Sequence, residues 1–115
     1  MKSVVTSIAI AAVALASAGS ASAQDPKAEK GMQVFVAQKC TTCHSIAGKG
    51  SKKGPLDEVG SKLTAEEIKQ WIVDPIGMAA KTTPPPKRKP AMKKKDIPTG
   101  DVDALVTLLS ALKKK

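Results

Sequence analysis

The residues best suited to chemistry lie together at Cys40-Thr41-Thr42-Cys43-His44, which contains both cysteines and the only histidine of the chain. Cys-x-x-Cys-His is the attachment signal of a c-type haem. The two thiols, one at each end of a short bridge, add across the two vinyl groups of the porphyrin, and the next residue is held under the iron. The segment therefore predicts a covalent haem, with thioether bonds from Cys40 and Cys43 and an iron ligand from His44.

Other uses of two cysteines fit this sequence less well. Two nearby cysteines in an exported protein usually form a disulfide, and a redox Cys-x-x-Cys normally opens a helix in a βαβ unit, a pattern that the flanking residues lack. A structural zinc site needs about four ligands with a second pair further on, and iron–sulfur clusters need more cysteines than this chain has. The haem interpretation is favoured over these four alternatives.

The first 23 residues have the features of a cleaved secretory signal peptide. Lys2 supplies the positive charge, residues 4–18 are apolar and small, and residues 21–23 form an Ala-Ser-Ala cleavage site. The apolar run is too short to span the hydrocarbon core of a membrane. We therefore expect a soluble periplasmic protein whose mature part, residues 24–115, is one haem-binding domain.

Helices are predicted at both ends of the mature part. The first covers residues 25–38, because Asp25 is a good N-cap and Pro26 suits the first helical turn. Gly31 costs helix stability, so its expected value is the close approach of another helix. The last covers residues 99–112, where apolar side chains recur at helical spacing: Val102, Leu105, Val106, Leu109 and Leu112.

A middle helix and two long loops are predicted between them. The helix begins with a capping box at residues 64–67 and stops before Asp74-Pro75. Trp71 lies on its apolar face, and a haem propionate would give its indole N–H a partner. Residues 45–60 are glycine-rich and basic, and residues 76–98 have no helical period and contain three consecutive prolines.

The basic loop contains a candidate support for the histidine. A ligating histidine usually donates its other ring N–H to a carbonyl, which fixes the ring. The carbonyl of Pro55, eleven residues after His44, is the candidate acceptor. An ordinary turn proline is the alternative interpretation of Pro55.

The chain resembles a small bacterial class I cytochrome c over most of its mature part. The residues that carry the resemblance are Gly31, Phe35, Cys40–His44, Gly54-Pro55-Leu56, Trp71 within residues 68–75, Pro90-Ala91-Met92 and residues 103–106. It implies an all-α small cytochrome c fold, with N- and C-terminal helices packed together and a middle helix and long loops around one covalent haem. The family's aromatic residue in the last helix is replaced by Leu108-Leu109, so we expect looser packing against Gly31 and Phe35.

The resemblance also implies how the haem is held. His44 would be the proximal iron ligand and Met92 the distal one, while Pro55 would hold His44 and Trp71 would reach a propionate. The residues themselves leave Met78 as an alternative distal ligand. The prolines before Met92 stiffen its loop, so closing a weak thioether–iron bond there loses little entropy.

An iron held permanently by histidine and methionine has no vacant position for a substrate, which predicts an electron carrier and not an enzyme. Methionine ligation also raises the reduction potential. A haem enzyme or gas-binding protein would need a distal acid–base group, whereas the chain has no second histidine and no tyrosine. The alternative function is an electron-transfer subunit or domain partner of a larger periplasmic oxidoreductase.

The basic residues indicate the kind of partner. The formal net charge is +9, and loss of the signal peptide removes one lysine and no acidic residue. Lys49, Lys52, Lys53 and residues 87–95 should border the exposed haem edge, which predicts acidic redox partner proteins. We expect a monomer with weak contact to an anionic membrane surface and no nucleic-acid partner, since no aromatic residues are interleaved with the basic ones.

Overall fold

The computed structural model describes residues 25–87 and 90–115, so the predicted signal peptide, residues 1–23, lies outside the described part. The described elements are α1 (Pro26–Ala37), β1 (Ser45–Ile46), β2 (Lys49–Gly50), α2 (Val59–Lys62), α3 (Ala65–Val73), α4 (Pro75–Lys81) and α5 (Thr99–Ser110). A 3₁₀ turn, Cys40–Thr42, separates α1 from β1. No helix in these two ranges has the length and apolar character needed to cross a membrane.

The N- and C-terminal helices pack against each other, as predicted. α1 makes its most extensive contact with α5, and α3 packs on α5 as well. Phe35 of α1 is only 1% exposed and belongs to the apolar core. The core is formed by apolar side chains of α1, β1, α3 and α5: Val34, Phe35, Ile46, Ile68, Ile72, Val102, Leu105 and Leu109.

Gly31 brings the backbones of α1 and α5 together. A Cβ added at Gly31 would overlap the carbonyl oxygen of Ala104 and would lie 2.8 Å from the Cβ of Leu108. The looser packing expected from Leu108-Leu109 is therefore wrong at this contact. The absent side chain of Gly31 lets the helices approach until backbone meets backbone, so no aromatic ring is needed to fill the space between them.

Local capping interactions form where the sequence predicts them. The Asp25 Oδ1 atom accepts the N–H of Lys27 at 2.9 Å, and Pro26 opens α1. At α3, the Thr64 hydroxyl accepts the N–H of Glu67 at 3.2 Å, while the Glu67 carboxylate accepts the N–H of Thr64 at 2.8 Å. The predicted capping box is confirmed, and both interactions satisfy N–H groups that a helix leaves without partners.

The two predicted loops contain more regular structure than expected. Residues 75–81 form α4, because the Asp74 carboxylate accepts the N–H of Gly77 at 3.0 Å and Pro75 occupies the first helical position. An Asp-Pro pair ends one helix and also caps the next. Residues 45–60 contain the β1–β2 hairpin and the start of α2. The alternative ligand Met78 therefore lies in a helix and not in a loop.

Candidate functional site

The Cys40–His44 turn follows α1 after two residues. Lys39 adopts a left-handed conformation (φ 58°), which ends the helical path and opens the 3₁₀ turn. The carbonyl of Cys40 then accepts two backbone N–H groups, from Cys43 at 3.1 Å and from His44 at 2.8 Å. This single carbonyl brings both cysteines and the histidine within one turn of chain.

The two cysteines are half-buried, and no disulfide joins them. Burial raises the pKa of the Cys40 thiol, and the positive charge of Lys95 opposes part of this rise. The thiol is therefore neutral at physiological pH, so Cys40 does not bring an unpaired charge into the partly buried turn. Because the charge of Lys95 acts on the Cys40 thiol, the end of the segment formed by residues 76–98 lies near the attachment turn.

The β1–β2 hairpin supports the turn from its other side. The N–H of Ser51 donates to the carbonyls of Thr41 at 2.9 Å and of His44 at 3.1 Å. Gly50 has a φ of 109°, and a Cβ added there would overlap the carbonyl oxygen of His44 and lie 3.1 Å from the Cα of Thr41. The backbone of β2 thus lies directly against the backbone of the turn, in a conformation and a space that only glycine fits.

The hairpin is closed by two residues in the left-handed region. Ile46 pairs with Lys49, and between them Ala47 has a φ of 50° and Gly48 a φ of 80°. Positive φ at both positions matches the twist of a two-residue hairpin but costs energy at an alanine. The Asp57 carboxylate accepts the N–H of Ala47 at 2.7 Å and so holds this conformation.

The histidine ring is fixed by a backbone carbonyl. The Nδ1 atom of His44 lies 3.2 Å from the carbonyl oxygen of Gly54. When Nδ1 carries the proton and donates it, the lone pair lies on Nε2, which is the nitrogen that can bind a metal. A fixed imidazole and two thiols within one turn are the donor set that a covalent haem needs, so the residues fit this group.

The carbonyl that accepts the His44 ring is that of Gly54, one residue before the predicted Pro55. Ser45 forms a parallel bridge with Pro55, in which the N–H of Ser45 donates to Gly54 at 3.1 Å and the N–H of Leu56 donates to Ser45 at 2.9 Å. Successive carbonyls of an extended segment point to opposite sides. The carbonyl of Gly54 therefore faces His44 and Ser45, whereas that of Pro55 points away, and the role assigned to Pro55 belongs to Gly54.

The other predicted site residues lie on separate elements. Trp71 is half-buried on α3, and Met92 is 41% exposed in the irregular segment that precedes α5. Their roles at a propionate and at the iron stay predictions. The supporting contacts of Gly50, Ser51 and Gly54 were missed from the sequence, although the density of glycines after the attachment segment was their signal.

One comparison with known proteins identifies a family. A family model described as Cytochrome c matches residues 28–113, which include the attachment turn, the hairpin and all five helices except the first two residues of α1. A search of curated proteins and a search of solved structures gave no significant match.

Because Gly50 lies against the attachment turn, adding a single methyl group at this position should destabilise the protein. Gly50→Ala should reduce the free energy of unfolding by about 3 kcal/mol, because it combines an unfavourable φ with overlap of the His44 carbonyl. It should also lower the fraction of purified chains that carry covalent haem. Chemical denaturation and the haem absorbance per chain measure the two effects.

Gly48→Ala is the matched control for this substitution. Gly48 also has a positive φ, but a Cβ there would meet nothing within 4 Å. We expect it to cost about 1 kcal/mol, the price of the backbone conformation alone. Equal losses in the two variants would show that β2 does not press on the turn.

Proposed function

The chain belongs to the cytochrome c family, and we propose that it is a soluble periplasmic carrier of single electrons. Members of this family bind a covalently attached haem c and transfer electrons. The observation that carries the proposal is the Cys40–His44 turn, in which the His44 ring is oriented by the Gly54 carbonyl at 3.2 Å. An oriented, permanent ligand suits repeated electron exchange because nothing has to rearrange between turnovers.

The chain's own residues divide the work of holding the haem. Cys40 and Cys43 would supply the thioether bonds, and Nε2 of His44 and the sulfur of Met92 would be the iron ligands. When bound, the haem iron accepts and releases one electron. Two permanent side-chain ligands would leave the iron no position for a substrate, and we propose that the protein is not itself an enzyme.

The surroundings of the two candidate methionines support Met92 as the distal ligand. Met78 is part of α4, where its N–H donates to Asp74 at 3.0 Å and its carbonyl accepts the hydroxyl of Thr82 at 2.9 Å. Met92 lies outside any helix, directly after Pro90 and Ala91. The prolines upstream restrict this segment, so little entropy is lost when the sulfur binds.

The signal-peptide features of residues 1–23 support a periplasmic location for the mature domain, residues 24–115. The same chemistry would serve an electron-transfer subunit of a larger periplasmic oxidoreductase. Purification of the mature chain as a monomer that is reduced and reoxidised by small redox dyes would favour the free carrier.

Exposed lysines support docking to acidic partner proteins, both donor and acceptor. Lys49, Lys52 and Lys53 follow the turn, and Lys93, Lys94 and Lys95 follow Met92; all six are exposed. The influence of Lys95 on the Cys40 thiol supports a position of the second group beside the haem attachment. Anionic lipid would make weaker contact with the same surface, and nucleic acid is not proposed as a partner.

Replacement of the distal ligand gives the direct test of the proposed ligation. Met92→Ala should make the ferric haem high-spin, abolish the weak red-edge absorption band of methionine ligation and lower the reduction potential, because the thioether ligand is lost. Met78→Ala is the matched control and should leave all three unchanged. A band that survives in Met92→Ala but disappears in Met78→Ala would assign the ligand to α4.

Charge reversal tests the docking surface. Lys93→Glu with Lys94→Glu should slow bimolecular electron transfer with an acidic partner about tenfold at low ionic strength, and the difference should shrink as salt is added. Lys114→Glu with Lys115→Glu changes the net charge equally at the far end of α5 and should matter much less. Stopped-flow rates that do not depend on ionic strength would contradict the proposed docking.

A further inference from the structure

The C-terminal tail, residues 111–115 after α5, binds α2 through three hydrogen bonds. The N–H of Gly60 donates to the carbonyl of Leu112 at 2.8 Å, and the ammonium of Lys113 donates to the carbonyl of Gly60 at 2.6 Å. The N–H of Lys114 donates to the hydroxyl of Ser61 at 2.6 Å. Both backbone polar groups of Gly60 are thus satisfied by residues more than fifty positions later in the chain.

These bonds are needed because α2 is short. A helix leaves its first four N–H groups and its last four carbonyls without partners, so a helix of four residues, Val59–Lys62, satisfies almost none of its own. The approach of the tail is close: a Cβ at Gly60 would overlap the carbonyl oxygen of Ser110 and lie 2.8 Å from that of Leu112. The tail therefore supplies hydrogen-bond partners for backbone groups that a four-residue helix cannot pair internally.

A continuous series of backbone hydrogen bonds leads from α2 to the histidine. The N–H of Val59 donates to Leu56 at 3.1 Å, and the N–H of Leu56 donates to Ser45 at 2.9 Å. The N–H of Ser45 donates to Gly54 at 3.1 Å, and the same Gly54 carbonyl receives the Nδ1 of His44 at 3.2 Å. The segment that carries Gly54 is therefore anchored at one end to the attachment turn and at the other, through α2, to the tail.

The segment between these anchors packs on the core through Leu56 and Val59, while most of its other side chains face solvent. Lys52, Lys53, Pro55, Asp57 and Glu58 are exposed, and Leu56 is only partly buried. Its position is set by this packing, by the bond from Ala47 to Asp57 and by the hydrogen bonds at its two ends, of which the tail supplies one set. A charged donor such as the Lys113 ammonium forms a stronger bond to a carbonyl than a neutral donor does.

We propose that Lys113 is a positioning residue for His44, which acts from the C-terminal tail through α2 and the Gly54 segment. The proposal rests on the proposed ligation of the iron by His44. A firm hydrogen bond from Nδ1–H to Gly54 makes the imidazole a better electron donor to the iron. Loosening the tail weakens this bond, so the ferric form loses stabilisation and the reduction potential rises.

The test compares two lysines of the same tail in the mature, haem-loaded protein. Lys113→Met keeps the length of the side chain but removes its donors, whereas Lys115→Met removes the same charge two positions further along; both lysines are exposed. Lys113→Arg retains a charged donor. The readouts are hydrogen exchange at the backbone N–H groups of Gly60 and Leu56 and at the ring Nδ1–H of His44, together with the reduction potential.

Lys113→Met should accelerate exchange at all three sites about tenfold, the equivalent of one lost charge-assisted hydrogen bond, and should raise the potential. Lys115→Met and Lys113→Arg should resemble the unmodified protein.

Equal effects of the two methionine variants would show that only the positive charge of Lys113 matters, and not its bond to Gly60, and would overturn the proposal. Faster exchange confined to Gly60, with Leu56, His44 and the potential unchanged, would overturn it as well, because the tail would then cap α2 alone. Failure of the His44 ligation itself would be seen separately, in the ferric spectrum of the unmodified protein.

Discussion

Five consecutive residues hold the two thiols and the imidazole that we propose bind the haem, so the conformation of the Cys40–His44 turn would determine where the haem lies relative to the rest of the chain. The Cys40 carbonyl, with bonds from Cys43 and His44, closes this turn, and the N–H of Ser51 binds it from the hairpin side. The Gly54 carbonyl then sets the direction of the His44 ring. Apart from the His44 ring, all the groups in these contacts belong to the backbone, so they do not depend on the identity of the surrounding side chains.

The packing of α1 against α5 gives this turn a rigid base. Phe35 is buried between the two helices, and Gly31 lets their backbones meet at Ala104. Only two aromatic residues, Phe35 and Trp71, are present in the whole chain, so the apolar core is small for a domain of this length. Covalent haem contributes the large apolar group that the side chains do not supply, and its attachment one turn after α1 joins it directly to the best-packed part of the molecule.

The sequence predicted the features that depend on local signals and missed those that depend on distant contacts. Asp25, Thr64 and Glu67 cap their helices as expected, since a cap needs only residues within one turn. The sequence does not predict α4, because Asp74-Pro75 indicates the end of α3 and only the structure shows that the Asp74 carboxylate also caps the next helix. The acceptor of His44 was misplaced by one residue because the bridge between Ser45 and Pro55 decides which carbonyl faces the ring. The bond from Lys113 to Gly60 spans 53 positions, and no local pattern indicates it.

We expect covalent haem attachment to complete the fold around the Cys40–His44 turn. The most direct measurement is the thermal melt, followed by circular dichroism, of the mature chain with both Cys40→Ala and Cys43→Ala. Since the haem makes its stabilising contacts only in the folded chain, we expect little helix at room temperature and no cooperative transition in this variant. Native helix content with a cooperative melt would contradict it, because α1, α3 and α5 would then form a stable core without the haem.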